Sequence, residues 1–315
     1  MGWWGAPPAW MTGYNSWLAV FDTECAKVQF GISTHLFHNY PLAEQHLREV
    51  AQYGFDRIEL FATHGHFEYR DTAAIAQLGR WLEATGLRLH SVHAPIVESL
   101  VGTRWGPAYS IANSDQAARQ NGVQEAIAAI EIARIVPYEY LVVHLGLPSS
   151  QGPGPNDNDR EQARRSVERL HAVAQPLGVR LALEVIPNDL STADSLVQMI
   201  EEELDLPDVG ICLDFGHAAI MGDLLDAIET VSGHLVTTHV HDNRGKLDDH
   251  LAPFQGTIDW LAALMEVQKV GYEGTLLFEL QSSEPSRTVL ERAMAARRRF
   301  EQILEGEWGR EITSA

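Results

Sequence analysis

The sequence predicts an α/β protein: a single-domain (β/α)8 TIM barrel preceded by a Trp-rich N-terminal extension. Two observations predict it. From about residue 28 onward, eight short apolar runs alternate with longer segments of helical periodicity. The chain has 315 residues, an ordinary length for one such barrel.

The apolar runs occupy residues 28–34, 57–61, 87–93, 140–145, 179–185, 209–215, 235–241 and 274–280. Nearly continuous apolar runs of this length suit strands covered on both faces, as in a parallel sheet. The segments between them cover 41–53, 71–85, 115–136, 159–177, 192–204, 223–231, 258–270 and 285–304. The first carries Leu42, His46, Leu47 and Val50 at helical intervals; the second carries Ile75, Leu78 and Leu82, with Gly86 as its C-cap. Asp71, Ser191 and Thr257 are expected N-caps. Strands and helices in this alternation make βαβ units, and eight of them fit closure into a barrel better than an open sheet. No linker divides the chain, so the layout is an extension at 1–27, a barrel at 28–305 and a tail at 306–315.

Long loops follow the third strand (94–114), the fourth (146–158) and the seventh (242–256). Return loops at Gly86 and Gly178 are short. The long loops lie on the strand-to-helix side, where barrels collect function.

Composition narrows the classes of partner. The formal net charge is −20, which disfavours nonspecific attraction to nucleic acid or anionic lipid. Two cysteines, Cys25 and Cys212, cannot build a disulfide framework and are expected to be reduced thiols, in keeping with a cytoplasmic protein. No apolar run reaches the roughly 20 residues of a membrane helix, and no signal-peptide pattern opens the chain. Trp3, Trp4, Trp10 and Trp17 lie among Gly and Pro in the extension. It is expected either to pack on the barrel or a second subunit, making a homo-oligomer plausible, or to be a mobile arm.

The strand ends carry the chemistry. The third strand ends at His93, the fourth at His144, the fifth at Glu184, the sixth at Asp214, the seventh at His239 and His241, and the eighth at Glu279. One such residue is ordinary. Six consecutive strand ends bearing imidazole or carboxylate converge on one axis in a closed barrel. A carboxylate that follows an apolar run is costly unless a cation or metal accompanies it. The set suits Zn²⁺, Mn²⁺ or Fe²⁺. His217 follows Asp214 at the start of the next helix, and Asp248 with His250 can present two side chains to one ion. His239 and His241 share a strand face; His239 is favoured as the ligand, with His241 its neighbour.

The ordered motifs resemble the xylose isomerase-like barrel superfamily, which holds sugar isomerases and epimerases and also endonuclease IV. The resemblance spans about residues 28–304. It rests on His-Ala-Pro at 93–95, Val-His-Leu-Gly at 143–146, Leu-Asp-Phe-Gly-His at 213–217, His-x-x-Asp-Asn then Asp-Asp-His within 239–250, and Gly-Thr-Ile-Asp-Trp at 256–260. By that resemblance, Glu184, Asp214, His239 and Glu279 would hold one metal ion. Glu184 and Glu279 would also be the acid–base pair, and His217 would touch substrate. The multi-zinc arrangement of endonuclease IV adds His93, His144, His217, Asp248 and His250, and this sequence keeps every one of those types.

Two enzymatic readings follow. In the first, a divalent metal polarises a carbonyl of a sugar or sugar phosphate, and the two glutamates move a proton through an enediolate. His241, Lys246, Arg244 and His64 or His66 are candidates to grip hydroxyls or a phosphate. In the second, two or three zinc ions hydrolyse a phosphodiester, as at an abasic site in DNA. Arg104, Arg119, Arg160, Arg244 and Lys246 are interrupted by Glu98, Asp115, Asp157, Asp159, Asp248 and Asp249, a poor phosphate track. Arg297–Arg299 falls on the last helix and reads as a solvated face. A third reading is a barrel that binds a ligand without catalysis; the intact acid and imidazole set argues against it.

Overall fold

A computed structural model describes residues 28–101, 104–281 and 284–306. The Trp-rich arm, Cys25 and residues 307–315 of the tail lie outside the described residues.

Eight parallel strands close a barrel: β1 Gln29–Ser33, β2 Arg57–Phe61, β3 Arg88–His93, β4 Tyr140–Val143, β5 Arg180–Glu184, β6 Gly210–Asp214, β7 Leu235–Val240 and β8 Thr275–Phe278. Each pairs with its sequence neighbours, and Gln29 opposite Thr275 closes the ring between β1 and β8. All eight expected strands form. The fourth, seventh and eighth end one or two residues early, so His144, His241 and Glu279 sit just past the last residue of their strands.

Among the described residues, nine α-helices surround the barrel: α1 Glu44–Gln52, α2 Thr72–Thr85, α3 Gln116–Glu131, α4 Arg160–Ala174, α5 Ala193–Gln198, α6 Phe215–Met221, α7 Leu224–Val231, α8 Trp260–Lys269 and α9 Ser286–Leu304. Their buried stripes, such as Ile75, Leu78 and Leu82 on α2, pack on the apolar outer face of the sheet. A separate small cluster of Val142, Ala182 and Cys212 lies apart from this main core.

Three expectations shift. Asp71 does cap α2, but the fifth and eighth helices are capped by Thr192 and Asp259, not by Ser191 and Thr257. Ser191 and Thr257 instead donate their hydroxyls to the Leu145 and Asn243 carbonyls. The segment 192–204 is α-helical only to Gln198 and finishes as a π-helical turn, Met199–Glu203. The loop after β3 holds a small antiparallel hairpin, Leu100–Val101 with Arg104–Trp105, which periodicity could not reveal in strands of two residues. Among the described residues, no helix is long and apolar enough to cross a membrane.

Candidate metal centre and active site

Strand register brings the chemistry together. Asp214 on β6 pairs laterally with His239 on β7, and Glu184 on β5 with Cys212 on β6. Lateral partners in a parallel sheet point the same way, and residues two apart on one strand do too. Cys212 and Asp214 therefore face inward with Glu184 and His239. Glu184, Asp214, His239 and Glu279 each offer one donor atom within 4.8 Å of the others, and all four are buried. His239 Nδ1 lies 3.2 Å from Glu184 Oε1, 3.4 Å from Glu279 Oε2 and 3.9 Å from Asp214 Oδ2.

His93 and His144 extend this group. Their Nε2 atoms lie 3.2 and 2.9 Å from Glu184 Oε2. Asp214 also caps α6, accepting the His217 backbone N–H at 2.7 Å, which fixes His217 over the same carboxylates. A further cluster comprises His217, His241, Asp248 and His250. His217 and His250 donate their Nδ1–H groups to the Val185 and Glu279 carbonyls, which aims each Nε2 at Asp248 Oδ2, 3.2 and 3.1 Å away. His241 belongs to this cluster, its Nε2 lying 3.7 Å from Asp248 Oδ1, and it bridges to the first group through Asp214, 3.0 Å from the same nitrogen. Gly216 makes room for that ring: a Cβ at 216 would sit 2.0 Å from His241 Cε1.

The cluster is strongly polarised. Burial opposes ionisation of Glu184, yet His144 and His239 hold its carboxyl well below the usual range. Burial likewise opposes charge on His93 and His250, but Glu184 pushes the first up to about 9 and Asp248 the second to about 10. Asp248, the most exposed member at 38% of its side chain, is held far below its ordinary value by His250 and His217 against the effect of burial. Several buried carboxylates thus exist as anions that require neighbouring positive charge.

Two residues of this centre went unread in the sequence. Glu59 on β2 is 1% exposed; its Oε2 accepts His239 Nε2–H at 3.0 Å and the Ser91 hydroxyl at 2.9 Å. The signal was a lone acid inside the apolar run 57–61. His35, in the 3-10 turn Thr34–Phe37 just past β1, lines the cavity and comes close to His250 and Glu279.

The remaining candidates lie elsewhere. His66 is buried but structural in its contacts: Nδ1–H donates to the Tyr40 carbonyl at 2.7 Å, and Nε2 accepts from the Thr34 hydroxyl at 3.2 Å. His64 bonds Glu68 and stacks on Tyr69. Arg244 is exposed and pairs with Asp249, and Lys246 is exposed on the same loop. None of the four lines the cavity. Of the scattered basic residues on the loops and their flanks, Arg160 is turned to Glu203 and Ser195, and Arg119 to the Asn113 carbonyl.

The closed eightfold barrel carries at one end a buried carboxylate–imidazole cluster whose donor atoms could hold a metal ion. Residues 47–300 match the family described as xylose isomerase-like TIM barrel, and the chain belongs to that family. Its relatives include an uncharacterized protein of Methanocaldococcus jannaschii, MJ1311, 26% identical over 80% of this chain and 83% of the relative. An inosose isomerase of Bacillus velezensis is 24% identical over 75% and 82%. Among solved structures, a D-tagatose 3-epimerase-like protein superposes with a TM-score of 0.73 at 22% identity, covering 91% of this chain and all of that one. The IolI protein, solved with a bound zinc atom, gives 0.66 at 19% identity over 90% of this chain and all of that one.

Proposed function

We propose that this chain is a divalent-metal-dependent isomerase or epimerase of a sugar or sugar phosphate, acting by proton transfer next to a carbonyl. The observation that carries the reading is the buried quartet Glu184, Asp214, His239 and Glu279. Three carboxylates and one imidazole nitrogen in one buried site make a donor set that fits Zn²⁺ or Mn²⁺, whose charge would offset the desolvated acids. The inosose isomerase among the relatives and the epimerase-like neighbour support the reaction class. The zinc of the IolI protein supports the metal.

When bound, the ion would supply positive charge to the oxygen atoms of the substrate. The chain's own residues do the rest. Glu184 ends β5 and Glu279 follows β8, three strands further round the ring. One carboxylate takes the proton from the carbon beside the carbonyl, and the other returns it. His239 is held in one tautomer, Nε2–H toward Glu59, leaving Nδ1 free toward the quartet. His217, anchored by Asp214 and Val185, is placed to contact a substrate hydroxyl.

A second reading has its own observation. His217, Asp248 and His250 form another donor set, and His93 and His144 converge on Glu184. These would suit additional zinc ions and hydrolysis of a phosphate ester. Against it, Arg119, Arg160 and Arg244 are engaged with their own protein. The test is deuterium uptake from heavy water into ketoses by protein loaded with Mn²⁺ or Zn²⁺. Uptake supports the isomerase; none, with cleavage of abasic-site DNA or a small phosphodiester instead, supports the hydrolase.

A further inference from the structure

Helices α7 and α8 each run from the end of one strand back to the start of the next, so they lie parallel, and they pack side by side. Lys269 on α8 pairs with Glu229 on α7 at 3.5 Å, which marks the seam where their outer faces meet. Residues four apart share a helix face. One turn before that pair, Leu225 on α7 and Met265 on α8 therefore stand at the same level of the seam, and Leu261 lies a further turn along α8. All three are exposed, Leu225 at 38%, Leu261 at 41% and Met265 at 58%. The inward faces of the two helices are filled by Leu224, Ile228 and Val231 and by Leu264 and Val267. Single exposed apolar side chains are ordinary, whereas a contiguous stripe marks an interaction surface.

The chain itself holds a segment of matching chemistry. Residues 1–21 contain Trp3, Trp4, Trp10, Tyr14, Trp17 and Phe21 and no Asp, Glu, Lys, Arg or His, in a chain of net charge −20. Uncharged aromatic sequence of this kind gains by covering apolar surface. The barrel fixes where that segment joins. The Gln29 N–H donates to the Gly274 carbonyl at 3.2 Å, and Gly274 lies five residues past Lys269, the foot of α8. Val28 is therefore beside the lower end of the seam. Met265 stands four residues up α8 from Lys269, about 6 Å at 1.5 Å per residue. The seven residues from Phe21 to Val28 can span roughly 23 Å, and the eleven from Trp17 roughly 36 Å.

A second copy of the barrel suits the stripe less well. A stable interface takes about 800 Å² from each partner, about 20–30 residues a side. Three side chains on two helices fall short of that and suit a short peptide. We propose that the N-terminal arm of the same chain lies along the α7–α8 seam and seats its aromatic side chains on Leu225, Leu261 and Met265. Such a brace bears on elements that reach the candidate metal centre. Helix α6, which carries His217, leads into α7, and the loop that carries Asp248 and His250 leads into α8.

The experiment uses the full chain with p-benzoylphenylalanine in place of Met265. Unlabelled and ¹⁵N-labelled chains are mixed in equal amounts and irradiated. Mass spectrometry is expected to find position 265 joined to residues 1–21, both peptides carrying the same isotope. Separately, L225E/M265E should let chymotrypsin cut within residues 1–27 at least about tenfold faster than in the wild type, because cleavage follows the population of undocked arm. I135E, at an exposed position after α3 and off the seam, should leave that rate unchanged, with circular dichroism confirming that both variants fold. Cross-links from position 265 to another chain's arm or barrel, or none to residues 1–21, overturn the proposal. An unchanged cutting rate in L225E/M265E does so too.

Discussion

Glu59 Oε2 accepts the Nε2–H of His239 across the barrel interior at 3.0 Å, and Ser91 donates to the same oxygen at 2.9 Å. His239 thereby presents Nδ1 to Glu184, Asp214 and Glu279. Outer carboxylates of this kind typically contribute 10–100-fold to metal affinity by fixing the tautomer and angle of the ligand ring. E59L is expected to weaken Mn²⁺ or Zn²⁺ binding by about that factor, and E59Q, whose amide oxygen can still accept, by much less. Competition titration with a chelating dye measures this independently of activity. Equal affinity in wild type and E59L would reduce Glu59 to a packing residue.

Glu184 and Glu279 carry the proposed proton transfer. E184Q and E279Q should each lower deuterium uptake by at least about 100-fold, the usual range for loss of a general acid or base. Because both also belong to the donor quartet, metal content must be measured on the same samples. A variant that keeps its metal and its uptake rate would remove that residue from the chemistry.

His66, with His64 as its alternative, is a sequence candidate to grip substrate, and its contacts with Tyr40 and Thr34 predict a structural role. H66L should lower stability by about 1–3 kcal/mol, the cost of stranding buried polar partners, with KM unchanged within about twofold. A rise in KM without loss of stability would return it to the substrate site.

The same histidine sets a pH dependence. Burial pushes the His66 imidazole down to about 4 from an ordinary 6.5. Above pH 6.5 both folded and unfolded chains hold it neutral, and its stabilising share is complete. As pH falls from 6.5 toward 4 the unfolded chain takes up the proton first, so stability drops, by up to about 3 kcal/mol. Urea melts of the metal-free protein across that window should show the fall, and a shallower one in H66L. Identical slopes would show that His66 is not buried neutral in solution.

Much of the fold was legible because strands covered on both faces read as apolar runs, and the outward stripes of the helices keep their period. His93, His144, Glu184, Asp214, His239 and Glu279 could be read for the same reason: each interrupts or ends such a run, and closure does the rest. His35 could not be, because its place in the mouth depends on the 3-10 turn after β1 folding inward. Trp105 depends on a hairpin of two-residue strands that leaves no periodic trace. Glu59 was within reach, since a lone acid in a buried strand obeys the argument already applied to Glu184. His64, His66 and Arg244 mark the limit of residue type as a guide, being turned to other partners, and Lys246 is exposed outside the cavity lining.

The central claim is that the buried quartet holds a divalent ion. The most direct measurement is elemental analysis of protein purified without chelator or affinity metal, alongside D214N. About one equivalent of Mn or Zn per chain, lost in D214N and accompanied by a fall in Tm on chelation, is the predicted result. A wild-type protein that carries no metal and gains no stability from added Mn²⁺ or Zn²⁺ would contradict it.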